Sequence, residues 1–223
     1  MIAGTDATNF EVNLGGWNCR HQFFGVSDFM VPEEVRKKLE EKRIFAASKN
    51  ESGQALSAKI EANRKEYERL LTDDNYTDVR FNPETGALSA IHKEHRFDTE
   101  KGIFGIERGE YERISLDVLY EQGNKVVLGS EKQEYKIKVP DGDLNNKKFD
   151  IKGVEGIGKN NIINNIKNTN KKGADAIVLY YHNNKFFSEK QLRDSYDTYY
   201  RNSKSKRIQD VYYIVGRKLY TLK

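Results

Sequence analysis

Three side chains that stand close together in the sequence could cut a phosphodiester bond: Asp141, Asp150 and Lys152. Residues 148–153 predict a strand, and because residues two apart on a strand share a face, Asp150 and Lys152 would lie side by side. The turn in front of this strand would deliver a second carboxylate, from Asp141 or alternatively from Asp143. Two carboxylates can hold a divalent cation, and such a cation with a lysine can polarise a phosphate and activate water.

Asp141 and Asp150 are therefore the expected metal ligands, with Mg²⁺ as the expected ion. Phe149 and Ile151 alternate with the polar residues and should face the core. The alternative is that Asp150 and Lys152 form the exposed face of an edge strand, and that Asp141-Gly142 and Asn145-Asn146 are ordinary turns.

Polar residues also gather at the start of a helix predicted over 159–172. Lys159, Asn160 and Asn164 are the expected substrate-binding residues, because a helix N-terminus offers free N–H groups and a positive dipole end to a phosphate. Asn161 and Asn165 belong to the same cluster. An ordinary polar helix face is the alternative.

Other residue types suggest weaker candidates. His92 and His95 have a spacing that metal ligands use, and with Cys19 and His21 they could complete a zinc site, or one histidine could act as a general base. Surface or structural histidines are the favoured explanation. Tyrosines that interleave with Lys and Arg after residue 179 could stack on bases, although packing within the sheet is the commoner role.

Charge is distributed unevenly along the 223 residues. From residue 145 onwards there are 17 Lys and Arg against 7 Asp and Glu, a net +10, whereas residues 1–144 carry a net −6. This asymmetry predicts a nucleic-acid partner, and a Lys-rich surface typical of an AT-rich genome is the alternative. One cysteine excludes an internal disulfide framework, and no apolar run or signal sequence indicates a membrane.

The order of the predicted elements favours an α+β fold, with an N-terminal helical segment followed by a mixed sheet flanked by helices. The apolar run within 174–181 predicts a central strand, covered on both faces. The expected elements are helices over 32–43, 53–72, 107–122, 159–172 and 188–201, and strands over 87–92, 125–128, 135–139, 148–153, 174–181, 211–215 and 218–222.

This order, with Pro140-Asp141 and Asp150-Ile151-Lys152, resembles the restriction-endonuclease-like nucleases. More closely, residues 107–223 resemble the toxin domains of contact-dependent growth-inhibition proteins. The resemblance implies a toxin that hydrolyses RNA, with tRNA as a candidate, or DNA, and an immunity protein as partner. It also implies a catalytic acid on the helix, Glu112 or alternatively Glu110. Those toxins usually carry Glu where Asp150 stands, and some toxin RNases of this size work without metal.

A second resemblance concerns the N-terminus. Gly16-Trp17-Asn18-Cys19-Arg20-His21 and the segment 31–35 resemble the end of phage minor head (Mu F-like) domains. This implies phage head proteins as partners and a location in a virion or the bacterial cytoplasm. The expected division is 1–72 for this tail and its helices, 73–102 for a linker with a short strand, and 103–223 for the nuclease-like domain. A structural head module with a degenerate nuclease fold is the alternative function.

Overall fold

The computed structural model describes residues 33–131, 138–156, 158–203 and 208–222. The chain divides into two units, Met1–Ala58 and Lys59–Lys223. Helix α1 (Glu33–Thr72) begins in the first unit and is continuous, so the predicted break at 48–53 was wrong. One glycine within a helix costs only about 1 kcal/mol, which good helix formers on either side offset. Across the described residues, no helix is long and apolar enough to cross a membrane.

Within its described residues the second unit is built on one mixed sheet of eight strands, which confirms the predicted α+β class. The strands follow one another in sequence order across the sheet, and the pairs β2–β3, β5–β6 and β6–β7 are parallel. Their bounds are β1 Tyr76–Phe81, β2 Leu88–His92, β3 Lys125–Leu128, β4 Gly142–Leu144, β5 Lys147–Gly153, β6 Ala176–Tyr181, β7 Asp210–Val215 and β8 Lys218–Thr221. Parallel neighbours need a crossover connection, and a helix supplies each one.

Those crossover helices are α2 (Arg108–Glu121), α3 (Lys159–Lys171) and α4 (Glu189–Asn202), and a short 3₁₀ turn spans Asn184–Phe186. Strand β6 is buried along its whole length between β5 and β7, so the predicted central strand is confirmed. Ile177 and Leu179 pack with the apolar faces of α3 and α4, whereas Val178 and Tyr180 pack with α2 on the opposite face.

Two predicted features differ from the structure. The strand expected over 135–139 lies mostly outside the described residues, and positions 138 and 139 are not in a strand. Residues 73–102, expected as a linker with one short strand, contribute β1 and β2 to the sheet. The C-terminal part of α1 also belongs to this unit, because Leu70 packs with Leu88 and Val127.

Leu70 and Leu71 provide a matched test of that packing. The residue exposure is 1% for Leu70 and 55% for Leu71. Leu70→Ala should lower the free energy of unfolding by about 2–4 kcal/mol, because it leaves a cavity against β2 and β3. Leu71→Ala should change it by less than about 0.5 kcal/mol. Urea denaturation of both variants measures this, and equal effects would show that the end of α1 does not pack on the sheet.

Candidate active site

A tight hairpin places the two aspartates opposite each other. Asn145 and Asn146 both have positive φ, as the two-residue turns that join twisted antiparallel strands require. The turn fixes the pairing of β4 with β5 up to Gly142 and Phe149, so the next residues along, Asp141 and Asp150, face each other. Gly142 is required at this point, because a Cβ there would overlap the backbone oxygen of the neighbouring strand β3.

The carboxylates are held by backbone and side-chain donors at the edge of β5. This strand continues beyond its pairing with β4. There the backbone N–H of Ile151 donates to Asp141 Oδ2 at 2.7 Å. Asp150 Oδ2 accepts from the Thr169 hydroxyl at 2.8 Å and lies 2.6 Å from Lys152 Nζ. The three residues that the sequence singled out therefore converge in one place.

A fourth charged group, which the sequence did not indicate, joins them. Lys172, at the C-terminal end of α3, places Nζ 3.0 Å from Asp141 Oδ1 and 2.5 Å from Asp150 Oδ1. The side chains of the two aspartates are 4% and 0% exposed, while Lys172 and Lys152 are 18% and 24% exposed. Lys172 thus bridges the two buried carboxylates, Lys152 pairs with Asp150 alone, and both ammonium groups reach towards solvent.

This arrangement separates the proton affinities of the two acids. Burial, together with the negative charge of Asp150, raises the pKa of Asp141 to about 7. Burial also acts to raise the pKa of Asp150, but the charges of Lys152 and Lys172 outweigh it and lower that pKa to about 2. Burial opposes the charged form of Lys172, and its two carboxylate neighbours outweigh burial and raise its pKa. Two acids with pKa values pushed apart are typical of acid–base sites.

Glu112, the acid expected on the helix, lies on α2 and bonds to a buried histidine. Its Oε2 is 3.1 Å from His95 Nε2, and His95 Nδ1 is 3.1 Å from the carbonyl oxygen of Gly129. Burial alone would lower the pKa of His95, but the hydrogen bond and charge of Glu112, with Glu131 nearby, raise it above 6.5. Glu110, the alternative acid, is exposed in the first turn of the same helix.

Two cavities flank Lys152. The larger, of about 720 Å³, is lined by four lysines, Lys138, Lys152, Lys171 and Lys172, together with Glu131 and Asn168. The smaller, of about 310 Å³, contains Glu112, Arg108 and Glu155 as well as Lys152. Lys152 is thus the side chain that joins a strongly basic cavity to the one that holds Glu112.

The substrate-binding residues expected on α3 are arranged differently from the prediction. Asn160 and Asn164 are exposed and line neither cavity, whereas their neighbours Asn161 and Asn165 line the smaller one. The backbone of α3 begins at Lys159, whose side chain lies outside the described part of the structure. Contact of Lys159, Asn160 and Asn164 with a substrate stays a prediction.

The zinc hypothesis finds little support. Cys19 and His21 lie outside the described residues, His92 Nδ1 bonds to the backbone N–H of Glu94, and His95 bonds to Glu112. Within the described ranges, no group of three or more His, Cys, Asp or Glu is arranged to hold a metal ion. Of the C-terminal tyrosines, Tyr181 and Tyr199 are fully buried and serve packing, whereas Tyr200 and Tyr220 are exposed.

The expected Mg²⁺ site has suitable ligand types but not a suitable arrangement. Asp141 and Asp150 offer the carboxylate oxygens that Mg²⁺ prefers. In this structure, however, each of those oxygens accepts a hydrogen bond or ion pair from Ile151, Lys152, Thr169 or Lys172. A divalent ion does not fit between the carboxylates while Lys172 bridges them.

Similarity of this chain to known proteins is found at the level of solved structures. No protein-family model matches it, and no curated protein sequence does. Among solved structures, the CdiA-CT/CdiI toxin and immunity complex from Burkholderia pseudomallei is similar at 19% sequence identity and a TM-score of 0.42. The match covers 60% of this chain and 98% of that one.

The bond between Glu112 and His95 gives a pH-dependent prediction. Glu112→Gln should lower the pKa of His95, measured by NMR titration of the ring, because it removes the charge that stabilises the imidazolium. Because the folded pKa is raised, the charged pair stabilises the fold fully below pH 6.5, and this stability is lost as the pH rises through the folded value.

The variant should therefore lose about 1.5 kcal/mol of unfolding free energy at acidic pH and less above the folded pKa. Glu110→Gln, on the exposed side of the same helix, is the control and should leave the pKa of His95 unchanged. An unchanged His95 pKa in Glu112→Gln would contradict the assignment.

Proposed function

We propose that the α+β domain is a nuclease that hydrolyses phosphodiester bonds in RNA or DNA. The observation that carries this proposal is the convergence of Asp141, Asp150 and Lys152 at the open edge of β5, beside a cavity lined by four lysines. A phosphate backbone is a polyanion that such a cavity would attract, since lysine and arginine side chains supply the positive charge that neutralises phosphates in nucleic-acid complexes.

The chain's own residues supply the elements of a phosphoryl-transfer site. Lys152 is partly exposed between the two cavities, where its ammonium can bind a phosphate oxygen and stabilise the charge that develops there. Asp150 stays ionised and fixes Lys152 in this position. Asp141, with its pKa raised to about 7, can exchange a proton near neutral pH.

Further parts of the proposal concern biological role. The sequence resemblance suggests a toxin domain with tRNA as a candidate substrate and an immunity protein as partner. Association with phage head proteins rests on residues 16–35, nearly all outside the described part of the chain. The competing function is a structural module whose nuclease-like site is inactive.

Lys152 and Lys148 offer a matched pair for testing activity. Both lie on β5, but Lys148 pairs with the partly exposed Asp143 and lines neither cavity. The protein is incubated with total tRNA and with plasmid DNA, each with Mg²⁺ and with EDTA. Wild type should cut one of the two substrates, and Lys152→Met should reduce the rate at least about a hundredfold.

Lys148→Met should cut near the wild-type rate. If folded wild-type protein cuts neither substrate under any of these conditions, the structural module becomes the better explanation. If Lys152→Met retains the wild-type rate, the cleaving site lies elsewhere, and His95 with Glu112 is the next group to test.

Asp150 is a poorer choice for that experiment than its position in the sequence suggests. A polar cleft residue can usually be truncated at little cost, but Asp150 is fully buried and neutralises Lys152 and Lys172. Asp150→Ala should therefore lower the free energy of unfolding by about 3–5 kcal/mol, measured by urea denaturation. A cost below about 1 kcal/mol would contradict the buried ion pairs.

A further inference from the structure

The position of Lys172 suggests how the negative charge of Asp141 and Asp150 is neutralised. We propose that Lys172 is the resident cation of the site: its ammonium takes the place between Asp141 and Asp150 that a divalent metal ion would need, and it keeps the pair closed to such ions. This inference deepens the proposed nuclease function, but its central claim concerns ion binding and can be tested without any activity.

The hydrogen bonds of the carboxylates carry the first step of the argument. Lys172 Nζ bridges Asp141 Oδ1 at 3.0 Å and Asp150 Oδ1 at 2.5 Å. The two remaining oxygens accept from the Ile151 N–H and from Lys152 and Thr169. Because Mg²⁺ binds carboxylate oxygens directly at about 2.0–2.1 Å, it would have to displace at least one of these donors.

Charge balance is the second step. With both aspartates ionised, two carboxylates and two ammonium groups sum to zero, and a proton on Asp141 only adds positive charge, so the buried pair is already neutralised. A divalent ion added to this group would leave an excess of two positive charges beside carboxylates that are almost fully buried, which is costly in a low-dielectric site. Binding becomes favourable only after an ammonium has left.

The helix that carries Lys172 holds the ammonium in position. Lys172 is the C-cap of α3, where the negative end of the helix dipole favours a cation. Thr169, one turn earlier, donates a hydrogen bond to Asp150 and fixes the helix end against β5. Lys171, the preceding residue, is exposed and lines the same cavity, but within the described residues the ion pairs of Asp141 and Asp150 are with Lys172 and Lys152.

The test is a titration of the protein with Mn²⁺ alone. Binding is measured by calorimetry and by the electron paramagnetic resonance signal of the free ion. Wild type and the control Lys171→Met should show no saturable binding up to the millimolar range. Lys172→Met should acquire one saturable site, with a dissociation constant at least about tenfold below the highest Mn²⁺ concentration tested. Adding Asp141→Asn to Lys172→Met should abolish that site.

Two results would overturn the proposal. One is saturable Mn²⁺ binding by wild type that is lost in Asp141→Asn. This comparison uses only proteins that keep Lys172. The other is a folded Lys172→Met variant that gains no site. If that variant unfolds because its carboxylates repel each other, Lys172→Gln replaces it and the wild-type titration still decides.

Activity distinguishes this proposal from the one on which it builds. A wild-type protein that binds no Mn²⁺ and cuts nucleic acid in EDTA supports both. A wild-type protein that binds no Mn²⁺ and cuts nothing supports the role of Lys172 and contradicts the nuclease function. Cleavage that requires Mg²⁺ and follows Asp141-dependent binding by wild type contradicts the role of Lys172 alone.

Discussion

The burial of two adjacent carboxylates is the constraint on which the rest of the structure depends. An unpaired charge in a protein interior is strongly destabilising, so Asp141 and Asp150 must be neutralised where they lie. Lys152 comes from the same strand as Asp150, but Lys172 comes from the far end of α3. Asp141 and Asp150 therefore have all of their partners only when the hairpin and the β5–α3–β6 crossover are both in place, which ties the site to the fold of the domain.

Successive side chains of β5 point to opposite faces of the sheet, so apolar packing lies on one face and the charged site on the other. Phe149 and Ile151 point towards α2 and join the larger apolar cluster, while Asp150 points towards α3. Strand β4 pairs with β5 only as far as Phe149, so the edge of β5 beyond that residue is open. Glu112 on α2 and Lys152 on β5 can therefore line the same cavity. A polar site can thus form in the middle of the sheet without interrupting the packing on the other face.

Local patterns were sufficient to predict the parts of this arrangement that one element determines. Period-two alternation predicted that Asp150 and Lys152 share a face, and an unbroken apolar run predicted the central strand β6. Lys172 could not be predicted, because its role depends on where the end of α3 meets β5 in space. The polar residues at the start of α3 also did not indicate which side of the helix faces the site. The smaller cavity is lined by Asn161 and Asn165 instead of the predicted Asn160 and Asn164.

Stability alone does not explain why these charges are buried. Replacing a buried ion pair with apolar side chains of similar volume is often neutral or stabilising, so a purely structural domain gains little from keeping one. Lys172 and Thr169 already bond to Asp150, yet Lys152 also pairs with it and remains partly exposed at the junction of two cavities. A lysine held by a buried acid beside a basic cavity can bind an anion from solution, and for this reason we favour the proposed catalytic site over a degenerate one.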